Sequence, residues 1–337
     1  MRPTMKAVGH TQSHPIEHPE SLLDVEVPEP TPEGRDLLVE VKAISVNPVD
    51  TKRRVAGVKP GELKILGWDA AGVVKAAGPQ CTLFKPGDEV YYAGSIQRQG
   101  TNSELHLVDE RIVGTKPQSL SFAQAAALPL TTITAWEAMF ERMGISNTGA
   151  HAGKRLLILG GAGGVGSIAI QLAKQLARLH VTASASRPES IAWVKQLGAD
   201  ATVDHTKSLP EQLGGEADYI FICTSTDPLF PVLPKLAKPQ GRICSIVRTL
   251  NPVDLAPLQE KSLTFSWEGM FTRSTFATED MQAQHELLEA AGRHVDAGTL
   301  VTTFKENLGK ICAQNLKQAH RRLEQGHTLG KLVLEGF

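Results

Sequence analysis

The sequence predicts an α/β protein: a doubly wound parallel sheet joined to a partly antiparallel, barrel-like domain. Three observations predict it. Residues 155–174 (RLLILGGAGGVGSIAIQLAK) read as strand, glycine turn and helix in succession. From Arg155 onward such strand and helix patterns keep alternating, the signature of a parallel sheet with crossover helices. Before about residue 120 the chain instead carries short valine-bearing strands, glycines and prolines without that alternation. The 337 residues suffice for about two ordinary domains with substantial cores.

In chain order, Leu37–Ala43, Ala70–Val74 and Glu89–Tyr92 read as strands of the barrel-like part, with Lys85-Pro86-Gly87-Asp88 as a tight turn into the last. Residues 121–144 carry helical spacing up to Gly144. Leu156–Leu159 is an apolar run suited to a strand buried on both faces. After the glycines, Val165, Ile168, Ala169, Leu172 and Ala173 follow at helical spacing. The next strand is His180–Ala185, then a helix over Pro188–Gly198 with Ile191, Val194 and Leu197 on one face and Gly198 past its end. Ala201–Val203, Tyr219–Cys223 and Arg242–Val247 supply further strands. A helical stretch, Ala277–Ala297, and a strand, Gly330–Leu334, close the chain.

The glycine turn carries the chemistry. Gly161, Gly163 and Gly166 form G-x-G-x-x-G: the first glycine allows a tight turn, the second lets backbone approach a pyrophosphate, and the third packs helix on strand. Unpaired N–H groups at the helix start face the anion. A glycine-rich turn without a ligand is the plainer alternative, and the flanking strand and helix argue against it. Where NAD-binding folds place an acid for the ribose 2′-OH, this chain reads Ala183-Ser184-Ala185-Ser186-Arg187-Pro188, with no carboxylate before Glu189. Ser184, Ser186 and Arg187 suit a 2′-phosphate, so NADPH is favoured over NADH. Ser186 can equally cap the next helix with Pro188 in its first turn, and the two roles are compatible.

A net charge of −1 and a pI near 6.8 give no reason for a general affinity for nucleic acid or anionic membrane. No apolar run approaches the roughly 20 residues that span a bilayer, and Met1-Arg2-Pro3-Thr4-Met5-Lys6 lacks the apolar segment of a signal peptide. A cytoplasmic protein is expected. Cys81, Cys223, Cys244 and Cys312 lack metal-type or disulfide spacing, and Cys223 and Cys244 read as buried thiols in strands. His10, His14 and His18 invite a metal reading, but Pro15 and Pro19 break any helix that would align them, so a solvated loop is expected.

Several stretches together resemble the medium-chain dehydrogenase/reductase superfamily, and within it the zinc-free quinone oxidoreductase branch and the bacterial zinc-type alcohol dehydrogenase-like group. They are residues 43–50 (AISVNPVD), 67–74 (GWDAAGVV), 84–90 (FKPGDEV), 125–130 (AAALPL), the glycine turn and 330–334 (GKLVL). The resemblance covers nearly the whole chain. It implies a GroES-like, mainly β catalytic domain from residues 1–129 and 272–337, an NADP-binding Rossmann domain over 130–271, an active site in the cleft between them, and a homodimer through nucleotide-domain edge strands. Zinc-dependent relatives bind their metal through cysteine, histidine and a second cysteine or an acid. The matching positions here are Asn47, Trp68 and Leu130, which cannot form that site, and the four-cysteine structural lobe is missing. Asp69 alone cannot hold zinc, so no metal is expected.

Without a Lewis acid, alcohol oxidation loses its means of stabilising an alkoxide. A quinone or α,β-unsaturated carbonyl delocalises negative charge itself and requires mainly proximity and a hydrogen-bond donor. The expected function is therefore hydride transfer from NADPH to such an acceptor, with the product anion protonated by water or a nearby hydroxyl. An alcohol dehydrogenase-like enzyme and a non-catalytic NADPH-binding protein are the alternatives.

The resemblance also implies roles for individual residues. Asn47 resembles the asparagine near the nicotinamide, or else braces the turn before Pro48. Tyr92 resembles a pocket tyrosine able to donate a proton or hydrogen bond, or else packs against the core. Thr134 resembles the threonine that meets the carboxamide, and Gly163, Gly164 and Val165 cradle the pyrophosphate. His205 stands where similar enzymes have tyrosine beside the adenosine. Thr224 ends a strand facing the cofactor, and Trp267, Glu268 and Phe271 cross the nicotinamide and substrate mouth. Lys331 either approaches the 2′-phosphate or is a surface lysine.

Overall fold

In the computed structural model, which describes residues 3–59 and 61–337, the chain divides into two units. One runs through Leu130 and resumes over Phe271–Phe337; the other is Thr131–Met270.

The first unit is mainly β. Its early strands are β1 (Thr4–His10), β2 (Leu23–Pro28), β3 (Asp36–Ser45), β4 (Lys64–Ile65), β5 (Asp69–Ala77), β6 (Glu89–Tyr92), β7 (Leu105–Asp109) and β8 (Val113–Thr115). Strands β2, β1 and β4 pair antiparallel in a small sheet. The larger sheet is centred on β3, ten residues long, which pairs antiparallel with β5 and also with β7. Leu37, Val39 and Ile44 of β3 are almost wholly enclosed, and each buried aliphatic side chain of this size contributes roughly 1.5–3 kcal/mol. Helices α1 (Pro48–Ala56) and α2 (Phe122–Ala126) belong to this unit. In α2, Ser121 accepts from the Gln124 N–H at 3.2 Å while the Gln124 side chain accepts from the Ser121 N–H at 3.0 Å, a capping box. Helix α3 (Pro129–Trp136) carries the chain into the second unit and widens into a π-helical turn over Glu137–Arg142.

The second unit holds β9 (Arg155–Leu159), α4 (Gly164–Gln175), β10 (His180–Ser184), α5 (Pro188–Gln196), β11 (Ala201–Val203), α6 (Leu209–Gln212), β12 (Ala217–Ile222), α7 (Leu233–Leu236), β13 (Ala237–Ser245), α8 (Ala256–Gln259) and β14 (Thr264–Trp267). All six strands are parallel, in the order β11-β10-β9-β12-β13-β14. The first strand therefore lies inside the sheet, and the strand order reverses beside it. This is the doubly wound arrangement, whose ligands sit at the carboxyl ends of strands flanking that reversal. Leu156–Leu159 are buried on both faces, as a central parallel strand requires.

The chain then returns to the first unit through α9 (Thr272–Phe276), α10 (Ala283–Asp296), β15 (Phe304–Asn307), α11 (Ala313–Glu324) and β16 (Lys331–Glu335), the last antiparallel to β3. The helix expected over Ala277–Ala297 starts late, at Ala283, and a short helix, α9, precedes it. Ala277 takes a left-handed conformation (φ 46°), and the Arg273 guanidinium ties the turn at 2.7 Å to Asp280, whose carboxyl this bond pulls down to about 2. Strand β13 begins at Ala237, five residues before the expected Arg242, because its early part crosses the polar Lys238–Gly241 stretch. Among the described residues, no helix is long and apolar enough to cross a membrane.

Candidate functional site

In the second unit, β9 runs straight into the glycine turn. The left-handed residue there is Gly160 (φ 90°), not Gly161, so the tight-turn role falls one position earlier than the spacing suggests. Gly161 serves close packing instead: a Cβ there would stand 2.8 Å from the Ala183 Cβ. A Cβ on Gly166 would run into the Gly160 carbonyl, so helix and turn touch at this point. Gly163 differs: its added Cβ would meet only the Gly160 oxygen, at 3.7 Å. Gly163 is the N-cap of α4, no acidic residue stands in the first turn, and residues 162–165 are only half-buried. The N–H groups of that first turn lack intrahelical partners and carry the positive end of the helix dipole. This turn can hold an anion.

Beyond β10 the 2′-phosphate candidates separate. Ser184 is buried, and its hydroxyl accepts the Gly160 N–H at 2.8 Å. It is thus a brace for the glycine turn rather than a phosphate ligand. Ser186 and Arg187 are half-buried. The N-cap of α5 is Arg187, with Pro188 first in the helix, so Ser186 is not the cap; Ser190 accepts the Arg187 N–H at 3.1 Å in its place. The Arg187 Nε lies 3.3 Å from the exposed Glu189 carboxylate. His205 is exposed in the turn after β11, and Thr224 is exposed just past β12. Thr134 is enclosed on α3. Trp267 ends β14, 46% exposed, edge-on to Phe265 with centroids 5.0 Å apart. Glu268, next in sequence, is buried and bonded to Arg142 Nε at 2.8 Å; burial first, and the adjoining Glu137 carboxyl second, push it well above the usual carboxylate range.

Two expected cofactor residues lie in the first unit. Phe271 meets Trp68 edge-on, centroids 6.0 Å apart. Lys331 is not a surface lysine: it is 3% exposed at the start of β16, where its ammonium reaches Asp69 Oδ2 at 3.0 Å, the Val46 carbonyl at 3.1 Å and the Asn47 amide oxygen. Strand pairing brings these groups together, since Ser45 of β3 stands opposite both Asp69 of β5 and Val333 of β16. Asp69 Oδ2 also accepts from Ser45 Oγ and Asn47 Nδ2, both at 2.8 Å, while Oδ1 accepts the Leu130 N–H at 2.7 Å. Both polar ends of the Asn47 side chain are therefore engaged within the protein. Its main-chain N–H donates to Asp50 Oδ2 at 2.8 Å. Asp50 is enclosed, its Oδ1 unpartnered among the described residues, and burial lifts its carboxyl to about 7.

Trp68 is buried and donates to the Ser95 carbonyl at 3.1 Å, and Leu130 presents an alkyl side chain. Tyr92 is 0% exposed; its hydroxyl faces His106 Nδ1 at 3.1 Å and its ring stacks on that histidine. Burial raises the Tyr92 phenol and lowers His106 to about 4. A phenol so enclosed, bonded to His106, fits the packing alternative better than the donor role. Sequence reasoning missed Gly160, the Asp69–Lys331 pair, His106 and the Glu137–Glu268 pair. The doubled glycine and the acid inside the apolar FSWEGMF run were available signals; the partners of Asp69 and Tyr92 were not.

The chain matches the alcohol dehydrogenase GroES-like domain over residues 33–137 and the zinc-binding dehydrogenase family over residues 197–334. It is 42% identical over 335 residues to a zinc-type alcohol dehydrogenase-like protein of Staphylococcus aureus strain MSSA476, covering 98% of this chain and 99% of that protein. Among solved structures, a Rhizobium etli CFN 42 protein assigned to the zinc-dependent alcohol dehydrogenases is 50% identical, with a TM-score of 0.95 over 100% of this chain and 99% of that one. The quinone oxidoreductase of Coxiella burnetii is 26% identical, with a TM-score of 0.83 over 99% of this chain and 100% of that one.

Proposed function

The chain belongs to the medium-chain dehydrogenase/reductase superfamily of oxidoreductases, in its zinc-type alcohol dehydrogenase-like group, and from this we propose that it reduces a quinone or α,β-unsaturated carbonyl with NADPH and without a catalytic zinc. Support for the missing zinc comes from the donor set. At the three positions the family uses for ligands stand an amide already bonded at both ends, an indole and an alkyl group, and the Lys331 ammonium is bonded to that same amide and to Asp69. A zinc ion needs thiolate, imidazole or carboxylate lone pairs, and a fixed ammonium beside them repels it. The residues do not fit the metal.

They fit the dinucleotide. The half-exposed turn at residues 162–165, opening a helix whose N-cap glycine leaves space for an anion, is the observation that carries the reading. Gly163, Gly164 and Val165 would hold the pyrophosphate, and Ser186 and Arg187 the 2′-phosphate, since no acid ends β10 to select a free 2′-OH. His205 and Thr224, exposed beyond β11 and β12, would flank the adenosine side. Bound there, NADPH supplies a hydride. An acceptor that spreads the arriving charge over its own conjugated oxygens needs positioning above all. With Tyr92 enclosed, solvent water is the proton source we assign. The family also supports a homodimer built on sheet edges of the Thr131–Met270 unit.

An NADPH-oxidation screen over quinones, enones and primary alcohols, with and without chelator, tests this. The expected result is chelator-insensitive NADPH consumption with a quinone or enone. Chelator-sensitive alcohol oxidation would favour the zinc enzyme, and tight NADPH binding without turnover a non-catalytic binder. Arg187→Ala should raise the KM for NADPH by about tenfold or more, as loss of a charge-assisted bond worth about 1.5–3 kcal/mol requires, with NADH kinetics nearly unchanged. Equal losses with both cofactors would refute that assignment.

A further inference from the structure

The loop between β1 and β2 places side chains together that the oxidoreductase reading leaves unused. The prolines that forbid a helix do not keep His14 and His18 apart: their rings stack with centroids 3.8 Å apart and planes 10° from parallel. One ligand atom from each of His14, His18 and Glu20 lies within 4.8 Å of the other two. The His14 Nε2 is shielded from water yet meets no hydrogen-bond partner among the described residues, and such an orphaned nitrogen calls for an occupant.

The loop is also fastened. The His18 N–H donates to the Pro15 carbonyl at 3.0 Å and the Ser21 N–H to the His18 carbonyl at 3.1 Å. Ser13 Oγ donates to the Val55 carbonyl of α1 at 2.6 Å. From α11, the Lys317 ammonium donates to the Pro19 carbonyl and the Arg321 guanidinium pairs with Glu17 at 2.7 Å. Lys317 and Arg321 are thereby engaged, Arg54 of α1 pairs with Glu324 of α11, and the exposed Glu20 carboxylate enters no ion pair among the described residues.

We propose that this loop binds a divalent transition cation, Zn²⁺ foremost, through His14, His18 and Glu20, with water completing the shell. Two imidazoles and a carboxylate suit Zn²⁺, Ni²⁺ or Cu²⁺, whereas Ca²⁺ and Mg²⁺ take shells of oxygen. Ligand bonds of about 2.0–2.2 Å set the ligand atoms of a tetrahedral ion roughly 3.4 Å apart, so the side chains close by about an ångström as the rings turn out of their stack. His18 Nδ1 now accepts the Glu20 N–H at 3.1 Å. Ligation through either ring nitrogen replaces that bond, because a metal on Nε2 leaves the proton on Nδ1. None of these residues belongs to the Asp69–Lys331 cluster, so this site stands or falls separately from the zinc-free reading above.

Titration calorimetry of the untagged full chain, stripped with chelator and then given ZnCl₂, should show one saturable site. Absorption spectroscopy at the zinc edge should show two imidazoles and oxygen, without sulfur, on the unsubstituted protein. His14→Gln and His18→Gln should each weaken the Kd by at least about tenfold, since losing even an outer-shell partner of a metal ligand costs 10–100-fold. His180→Gln, on β10 and outside this cluster, should change nothing. No saturable heat, a Kd that survives both histidine substitutions, or an edge spectrum without imidazole scattering overturns the proposal.

Discussion

A lysine at a strand start and an aspartate at a helix start show how single residues are set by what encloses them. Lys331→Met would leave Asp69 with Ser45, Asn47 and the Leu130 N–H but without its cation. Breaking a buried pair from one side costs about 3–5 kcal/mol, and we expect a loss of that size in urea unfolding; a loss under about 1 kcal/mol would show the pair to be dispensable. Asp50 adds a pH dependence of its own. Its folded value of about 7 lies above the ordinary 3.8, so its contribution is complete below about pH 4 and is lost as pH rises through 7. Asp50→Asn keeps an acceptor for the Asn47 N–H and removes one falling contribution, so between pH 4 and pH 7 its stability should rise relative to that of the parent protein; an unchanged slope would place the titration elsewhere. Neither role was legible. Burial is a property of the surroundings, and Lys331 read as a surface residue because nothing in GKLVL reveals what β3 and β5 bring to it.

At the scale of elements, the strand–turn–helix unit was legible because its signals are local. An apolar run of strand length, glycines and a helical apolar stripe all lie within residues 155–174. What escaped was the division of labour among the glycines, and substitutions separate it. Gly166→Ala forces a methyl into the Gly160 carbonyl, and overpacking of this kind costs typically 1–3 kcal/mol, so we expect both stability and NADPH affinity to fall. Gly163→Ala meets only an oxygen at 3.7 Å and should fold with an unchanged melting midpoint while NADPH binding weakens. Equal thermal losses in the two variants would erase the distinction. The late start of α10 is the converse case. The left-handed turn at Ala277 before it is held by Arg273 and Asp280, and periodicity cannot report a clasp.

At the scale of the whole molecule, the sheet of the Thr131–Met270 unit ends on β14, where Phe265 is partly buried and Trp267 is 46% exposed. An unpaired edge strand is a template for another strand. With the homodimer proposed above, light scattering should give twice the chain mass, and Trp267→Arg should shift the protein toward monomer; a monomeric parent protein at micromolar concentration would end that proposal. By itself the sequence determined the doubly wound sheet, the place of the glycine turn and which residue types stand at Asn47, Trp68 and Leu130. Each rests on residue types at short spacing, where backbone sterics and side-chain chemistry act locally. Tertiary structure alone decided that Lys331 is buried against Asp69, that Tyr92 is enclosed by His106, and that His14 and His18 come face to face. Those outcomes depend on which distant segments pair and how far water is excluded from them, and no spacing along the chain encodes that directly.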